Sequence, residues 1–300
     1  MAPTISVVIS TFNEEENLPF ALGSVRTWVD EIVVLDMYSD DNTVEIARSF
    51  GAKVFFHERV GFADPARAFA FQQASGDWIL SLDADEMVPF PLSTELLRVA
   101  SAGNADVVRI PFLSYWFGDP LMHTNVNPRK VLLPRFFRRG YLDASSAIHN
   151  CLCPVPGSRV VKLKYKPGLT VLHFAYLDSK DFIEKLDRYT DIEARQALER
   201  GERVTFLGAL FKPTKEFVAR YIKGGGFLDG WRGIYVTLLY TFYRIVAAAK
   251  LHELTALGGR EQIETRYRQE AEEVLKAYGE LPASLSNATA GASASHNRSL

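Results

Sequence analysis

Gly76-Asp77-Trp78-Ile79-Leu80-Ser81-Leu82-Asp83-Ala84-Asp85-Glu86 is the stretch on which the reading of this chain turns. Ser75-Gly76-Asp77 is a turn signal, and Trp78 to Leu82 has the length and composition of a buried strand. Three carboxylates then fall within four residues. Alternation puts Asp83 and Asp85 on one side of the extended chain, with Ala84 small enough to let a ligand approach. Two acids at the carboxyl end of a buried strand are costly unless a cation satisfies them. A hard divalent cation that also holds phosphate oxygens suits that role. A solvated surface turn is the plainer account of any Asp-x-Asp, but what precedes this strand favours a site.

Ile5 to Ile9 reads as a first buried strand. Thr11-Phe12-Asn13-Glu14-Glu15-Glu16 follows, with Asn13 able to cap a helix and glutamates suited to its positive first turn. Glu31 to Asp36 is a second strand, again ending in an acid, and Val44 to Phe50 a second helix closed by Gly51. Lys53 to Phe56 is a third strand and Pro65 to Ala74 a third helix. This alternation predicts a parallel sheet with right-handed crossovers. Ligands of such sheets sit outside the carboxyl ends of the strands. Thr11 to Glu14, Asp36 and Asp83 to Glu86 all fall there. Neither Gly-x-Gly-x-x-Gly nor Gly-Lys-Ser/Thr follows the first strand, so phosphates must be met by metal and basic side chains.

The 300 residues are 47% hydrophobic and 23% charged, an ordinary globular composition with ample core. A net charge of −2 gives no reason to expect nucleic acid as a partner. Cys151 and Cys153 are too close for an unstrained bridge and too few for a zinc site, and read as buried or idle thiols in a reducing compartment. Met-Ala-Pro-Thr carries no basic region, so no signal peptide and a cytoplasmic location are expected.

These motifs together resemble family 2 glycosyltransferases. Thr11-Phe12-Asn13-Glu14-Glu15, Val34-Leu35-Asp36 with Asp41, and Leu82-Asp83-Ala84-Asp85-Glu86 carry the resemblance. Within the family the chain is similar to the branch of lipopolysaccharide-core β-glucosyltransferases. Arg67 before Phe69-Ala70, Arg135-Phe136-Phe137-Arg138, Ile148-His149, Leu172-His173-Phe174 and Gly225 to Gly233 are further matches. The resemblance implies a GT-A α/β fold: a mostly parallel sheet flanked by helices over 1–176, then a helical C-terminal region. It also implies inverting transfer of a sugar, glucose from UDP-glucose, to a saccharide hydroxyl of a cell-envelope glycan or glycolipid. Thr11, Asn13 and Glu14 would line the nucleotide pocket, Asp36 would hydrogen-bond the uracil, and Arg67 would lie beside the nucleotide. Asp83 would touch ribose or metal, and Asp85 would coordinate Mn²⁺ or Mg²⁺ on the diphosphate, whose growing charge needs a cation.

The section 104–176 reads as strand-rich, with strands at Asp106 to Phe112 and Lys130 to Leu133. Arg135, Arg138, Arg139 and Lys130 form a basic cluster: a solvated strand face, or a grip on diphosphate or a phosphorylated acceptor. His173 ends an apolar strand, where it is either structural or a third metal ligand after Asp83 and Asp85. His149 joins Asp85 and Asp143 among the catalytic candidates. Relatives of this branch place Glu directly after that His, whereas this chain has Asn150, which cannot act as a general base. Asp143 is the acid that can substitute. A polyprenyl-phosphate acceptor, already nucleophilic, and a non-catalytic nucleotide-sugar-binding protein are the alternatives that Asn150 opens.

From Asp178 the pattern is helical to about 281, and 282–300 reads as a disordered tail. Only eleven uncharged residues separate Arg232 from Arg244, whereas a membrane span needs about twenty. A helical projection of 229–253 instead sets Ile234, Leu238, Leu239, Phe242 and Ile245 on one face and Arg232, Arg244 and Lys250 on the other. Such a helix lies on a membrane as a peripheral contact or packs in a helical subdomain or a homo-oligomer.

Overall fold

A computed structural model describes residues 2–58, 64–143, 152–276 and Tyr278, with the backbone alone for 64–66. In chain order the first part comprises β1 (Ile5–Thr11), α1 (Leu18–Val25), β2 (Glu31–Asp36), α2 (Thr43–Ser49), β3 (Lys53–Phe56), α3 (Asp64–Gln73) and β4 (Trp78–Asp83). β5 (Glu86–Met87), α4 (Phe90–Ala102), β6 (Val107–Trp116), β7 (Asp119–Pro120) and β8 (Leu132–Arg138) follow. β9 (Leu142–Asp143), β10 (Cys153–Pro154), β11 (Val160–Lys162) and β12 (Val171–Tyr176) precede helices α5 (Ser179–Glu199), α6 (Phe206–Phe217), α7 (Gly230–His252) and α8 (Arg260–Lys276).

The main sheet runs β3-β2-β1-β4-β8-β6-β12-β5. Its first four strands are parallel, as the alternation predicts. Beyond β4 the sheet becomes mixed: β8 is antiparallel to both β4 and β6, and β12 is again parallel to β6. Residue alternation explains why the early strands are apolar throughout. Val7, Ile9, Val34, Leu80 and Leu82 enter one core with α1 and α4. Val8, Val33, Leu35 and Ile79 enter another with Ala70 and Phe71 of α3 and Ala74 just after it. Both faces are covered, so both parities must be hydrophobic.

Three local expectations change. Asn13 does not cap a helix: it sits at φ +53°, accepts from the Asp40 N–H at 3.0 Å, and α1 begins only at Leu18. A short polar side chain that bonds a neighbouring loop tolerates this left-handed conformation. The strand after Pro128 starts at Leu132 rather than Lys130 and runs to Arg138. Asp83 and Asp85 do not continue one extended strand, because Ala84-Asp85 forms a turn before β5.

The chain divides into two compact units. One runs to Tyr189 and takes in Phe211–Arg244; the other comprises Thr190–Leu210 and the residues from Ile245. The sheet-containing unit therefore draws helical segments from beyond residue 176. In the second unit Ala194, Ala197 and Leu251 form a small core, and Lys250 pairs with Asp191 at 2.6 Å. Among the described residues one helical run, Gly226–Leu257, is long and apolar enough to cross a membrane. Residues 282–300 lie outside the described residues.

The Gly225–Gly233 motif has a steric basis. A Cβ on Gly233 would stand 1.7 Å from the Gly226 carbonyl oxygen, so α7 closes on the preceding loop only with glycine there. Gly233→Ala is expected to lose about 1–3 kcal/mol or more in chemical denaturation. Gly23→Ala, inside α1 with open space around its Cβ, should gain about 0.5–1 kcal/mol. Equal effects of the two substitutions would contradict the close approach.

Candidate active site

β1 lies between β2 and β4, so the chain reverses its direction of travel across the sheet at the β1/β4 boundary. That is the switch point where open α/β sheets bind ligands. Register brings Thr11 beside Asp36 and Ser10 beside Asp83 at the carboxyl ends. Asp36 is buried; its carboxylate accepts from Thr11 Oγ1 at 3.1 Å and from the Ser39 N–H and Oγ at 2.8 and 2.6 Å. The loop after β2 is thereby fastened to β1. Asn13 reinforces it, donating its own N–H to Ser39 Oγ at 2.8 Å.

Asp83 lies between two guanidiniums, ion-paired to Arg67 from α3 and, at 3.0 Å, to Arg135 from β8. Burial alone would raise its carboxyl, but Arg67 and Arg135 hold it well below the usual carboxylate range. The same Arg135 Nη2 reaches Glu86 Oε1 at 2.7 Å, and Glu86 Oε2 accepts from the Asp83 N–H at 3.0 Å. Glu86 is fully buried, and burial pushes its carboxyl up to about 8 against the lowering pull of Arg135. Arg135 Nη1 is buried and has no hydrogen-bond partner among the described residues.

Asp85 turns to a different partner. Its Oδ2 is 3.3 Å from His173 Nε2, while His173 Nδ1 meets Ser114 Oγ at 3.2 Å. Burial favours a neutral His173 ring, yet Asp85, Glu86 and Asp83 together raise it above its ordinary range. β12 supplies this histidine because it pairs with both β6 and β5, setting His173 opposite Ser114 and Glu86. Burial likewise lifts the Glu14 carboxyl to about 7, with Asp85 and Asp83 adding to the shift and its Asn17 hydrogen bond opposing it.

The predicted set is thus divided. Thr11, Asn13, Glu14, Asp36, Arg67, Asp83, Asp85, Arg135 and His173 gather around the strand ends. Arg138 does not: it stands opposite Trp78 at the other end of β4, five residues from Asp83 or about 16 Å along a strand. There it pairs with Asp106 and lies over Tyr141. Asp143 sits exposed on the separate β9/β10 ladder, opposite Cys153, which is itself an exposed free thiol. His149, Asn150 and Cys151 lie outside the described residues. Glu86 and Ser114 were missed as site residues. Glu86 was visible as the third acid of its run, whereas nothing in the sequence marks Ser114, 59 residues from His173.

No three His, Cys, Asp or Glu residues cluster as a self-sufficient metal cage among the described residues. Asp83 in particular is committed to arginines. Asp85 Oδ2 and His173 Nε2 remain, 3.3 Å apart, near the roughly 3 Å that separates adjacent ligands of an octahedral ion bound at about 2.1 Å. Asp85 and His173 are the residues that would hold a cation shared with a phosphate-bearing ligand, Asp83 being engaged by Arg67 and Arg135.

Residues 6–154 match glycosyl transferase family 2. The chain belongs to that family. This family 2 glycosyltransferase has the GT-A fold, a mostly parallel sheet with flanking helices and a helical C-terminal region. It is 28% identical to the lipopolysaccharide core biosynthesis glycosyltransferase LpsC of Rhizobium meliloti (strain 1021) over 272 residues, 87% of this chain and 96% of LpsC. It is 25% identical over 260 residues to an uncharacterized glycosyltransferase of Rickettsia bellii (strain RML369-C), covering 84% of this chain and 87% of that one. Among solved structures, S. aureus TarS 1–349 in complex with UDP-GlcNAc aligns at 19% identity and a TM-score of 0.45, over 65% of this chain and 66% of TarS.

Glu14 provides a pH test of the site. Its folded pKa, about 7 against 4.5 ordinarily, means the folded state holds a proton that the unfolded state releases, so stability falls as pH rises from 4.5 to 7. Glu14→Gln should therefore stabilise the protein by up to about 3 kcal/mol at pH 8 and leave it unchanged at pH 4. Denaturant titrations at the two pH values measure this, and a pH-independent difference would refute the buried-proton assignment.

Proposed function

We propose that this enzyme is an inverting hexosyltransferase that moves a sugar, glucose from UDP-glucose, onto a saccharide hydroxyl of a cell-envelope glycan or glycolipid at the cytoplasmic face of the membrane. One observation carries the reading: an acid–histidine pair, Asp85 and His173, stands at the sheet's switch point beside a carboxylate already neutralised by two arginines. The similarity to LpsC, which spans nearly the whole of both chains, supports the envelope acceptor.

In the proposed reaction the acceptor oxygen attacks the anomeric carbon while the bond from that carbon to the diphosphate breaks. The hydroxyl proton passes to a base and the nucleoside diphosphate departs with the bonding pair. Thr11, Asn13 and Glu14 line the nucleotide pocket, and Asp36 accepts from the uracil while its Ser39 partners hold the loop. Arg67 stands beside the nucleotide, and the unpartnered Nη1 of Arg135 is a donor for a phosphate oxygen. A divalent cation, Mn²⁺ or Mg²⁺, held by Asp85 and His173 would neutralise the charge gathering on the leaving group. A Glu14 that is about half protonated at neutral pH puts less negative charge beside the diphosphate than an ordinary carboxylate would. Asp143 is the proposed base.

Asp85→Asn is expected to abolish transfer and the metal-dependent part of UDP binding, whereas Asp36→Ala weakens UDP binding with or without metal. Calorimetry with UDP and Mn²⁺ separates the two; an Asp85→Asn protein that binds and turns over like the parent would overturn the metal assignment.

The base is addressed by Asp143→Asn and Asn150→Glu, assayed with saccharide and polyprenyl-phosphate acceptors. Loss of Asp143 should cost about 10²–10⁴-fold in rate. If neither substitution alters a measurable transfer, no side chain here serves as base, and a lipid-phosphate acceptor, which attacks unaided, replaces the saccharide.

A further inference from the structure

Helix α7 has two distinct faces. Gly233, Val236 and Thr237 are buried, and Tyr240 lies under the Arg220 guanidinium at 3.5 Å. The opposite face is open and apolar: Trp231 is 77% exposed, Tyr235 52%, Leu238 49% and Phe242 48%. Their spacing of four, three and four places them on a single stripe about 16 Å long. Phe227 and Leu228, exposed in the turn before α7, extend the apolar surface towards the N-terminus. Exposed apolar surface on this scale marks an interaction site.

Charge identifies the occupant. The three cations assigned to the helix are not available to attract one: Arg232 pairs with Asp119, Arg244 with Glu216 and Lys250 with Asp191. This corrects the expectation that they form the basic face. The segment leading into the stripe takes their place. Lys212, Lys215 and Lys223 are exposed and pair with no carboxylate among the described residues. Between Phe211 and Leu228 the sole acid is Glu216, which Arg220 and Arg244 already engage. Exposed lysines in the segment that leads into an apolar stripe starting with Trp and Tyr match the chemistry of an anionic membrane surface: charged headgroups, the interfacial zone where amphipathic rings settle, and acyl chains.

We propose that the Phe227–Phe242 stripe, with Lys212, Lys215 and Lys223, docks the enzyme on an anionic lipid bilayer. The helix lies along the surface instead of crossing it, because its other face is packed and its arginines are bound within the enzyme. The proposal extends the envelope reading by naming the partner surface, and its test reads lipid binding, not turnover.

The full chain is sedimented with vesicles of phosphatidylcholine alone or with one-third phosphatidylglycerol, at low and high salt, and UDP binding is measured on the same samples. The parent should partition onto the anionic vesicles and be released by salt. Each lysine near such a surface is worth about fivefold, so Lys212→Glu/Lys215→Glu/Lys223→Glu should lose on the order of a hundredfold in partition. Leu238→Ser/Phe242→Ser should lose at least tenfold, with circular dichroism and UDP binding unchanged; the lysine variant keeps the test valid if the serine variant misfolds. A parent that stays in the supernatant, or variants that partition like the parent, overturns the proposal. So does a parent dimer that the serine variant dissociates without any vesicle binding, which would make a second copy the occupant. Loss of UDP binding throughout would count against the glycosyltransferase site and leave the lipid result standing.

Discussion

The arrangement of this site follows from one buried guanidinium. Arg135 bonds Asp83 and Glu86 with the same nitrogen, where β8 enters the sheet next to β4. Three acids in four residues could not otherwise occupy the end of a core strand. Isolated carboxylates there would cost several kcal/mol each, and cutting one partner from such a cluster costs about 3–5 kcal/mol. With Arg67 on its other oxygen, Asp83 becomes a structural anion. Asp85, turned away from both arginines, pairs instead with His173.

That division of labour explains how three acids can gather at the end of a buried strand. Arg67 arrives on α3, Arg135 on β8 and His173 on β12, each neutralising part of an acidic strand end. The antiparallel insertion of β8 is therefore as important as the parallel alternation before it.

The helical region obeys the same accounting of charge. Arg232 and Arg244 sit in an apolar helix because Asp119 and Glu216 meet them, and Arg220 is shared between Glu216 and the Tyr240 ring. With its cations satisfied on the packed side, α7 has only apolar side chains left on the open side. The cations that remain solvated lie in the preceding segment.

The sequence by itself determined the first four strands, the helices between them and the family, because a sheet covered on both faces needs unbroken apolar runs and its carboxyl ends need polar loops. The strand-end positions of Thr11, Asp36 and Asp83 were legible for that reason. Partners were not. Arg135 and Arg138 look alike in one basic run, yet three residues of strand separate a site arginine from one bound to Asp106 at the far end. The apparent Asp83–Asp85 pair dissolved because a turn at Ala84 sends the two carboxylates to different strands. Asn13, whose residue type suits a helix cap, was drawn by the loop after β2 into a left-handed turn. Local periodicity reports which groups are buried; only the register of distant strands decides which charge each of them meets.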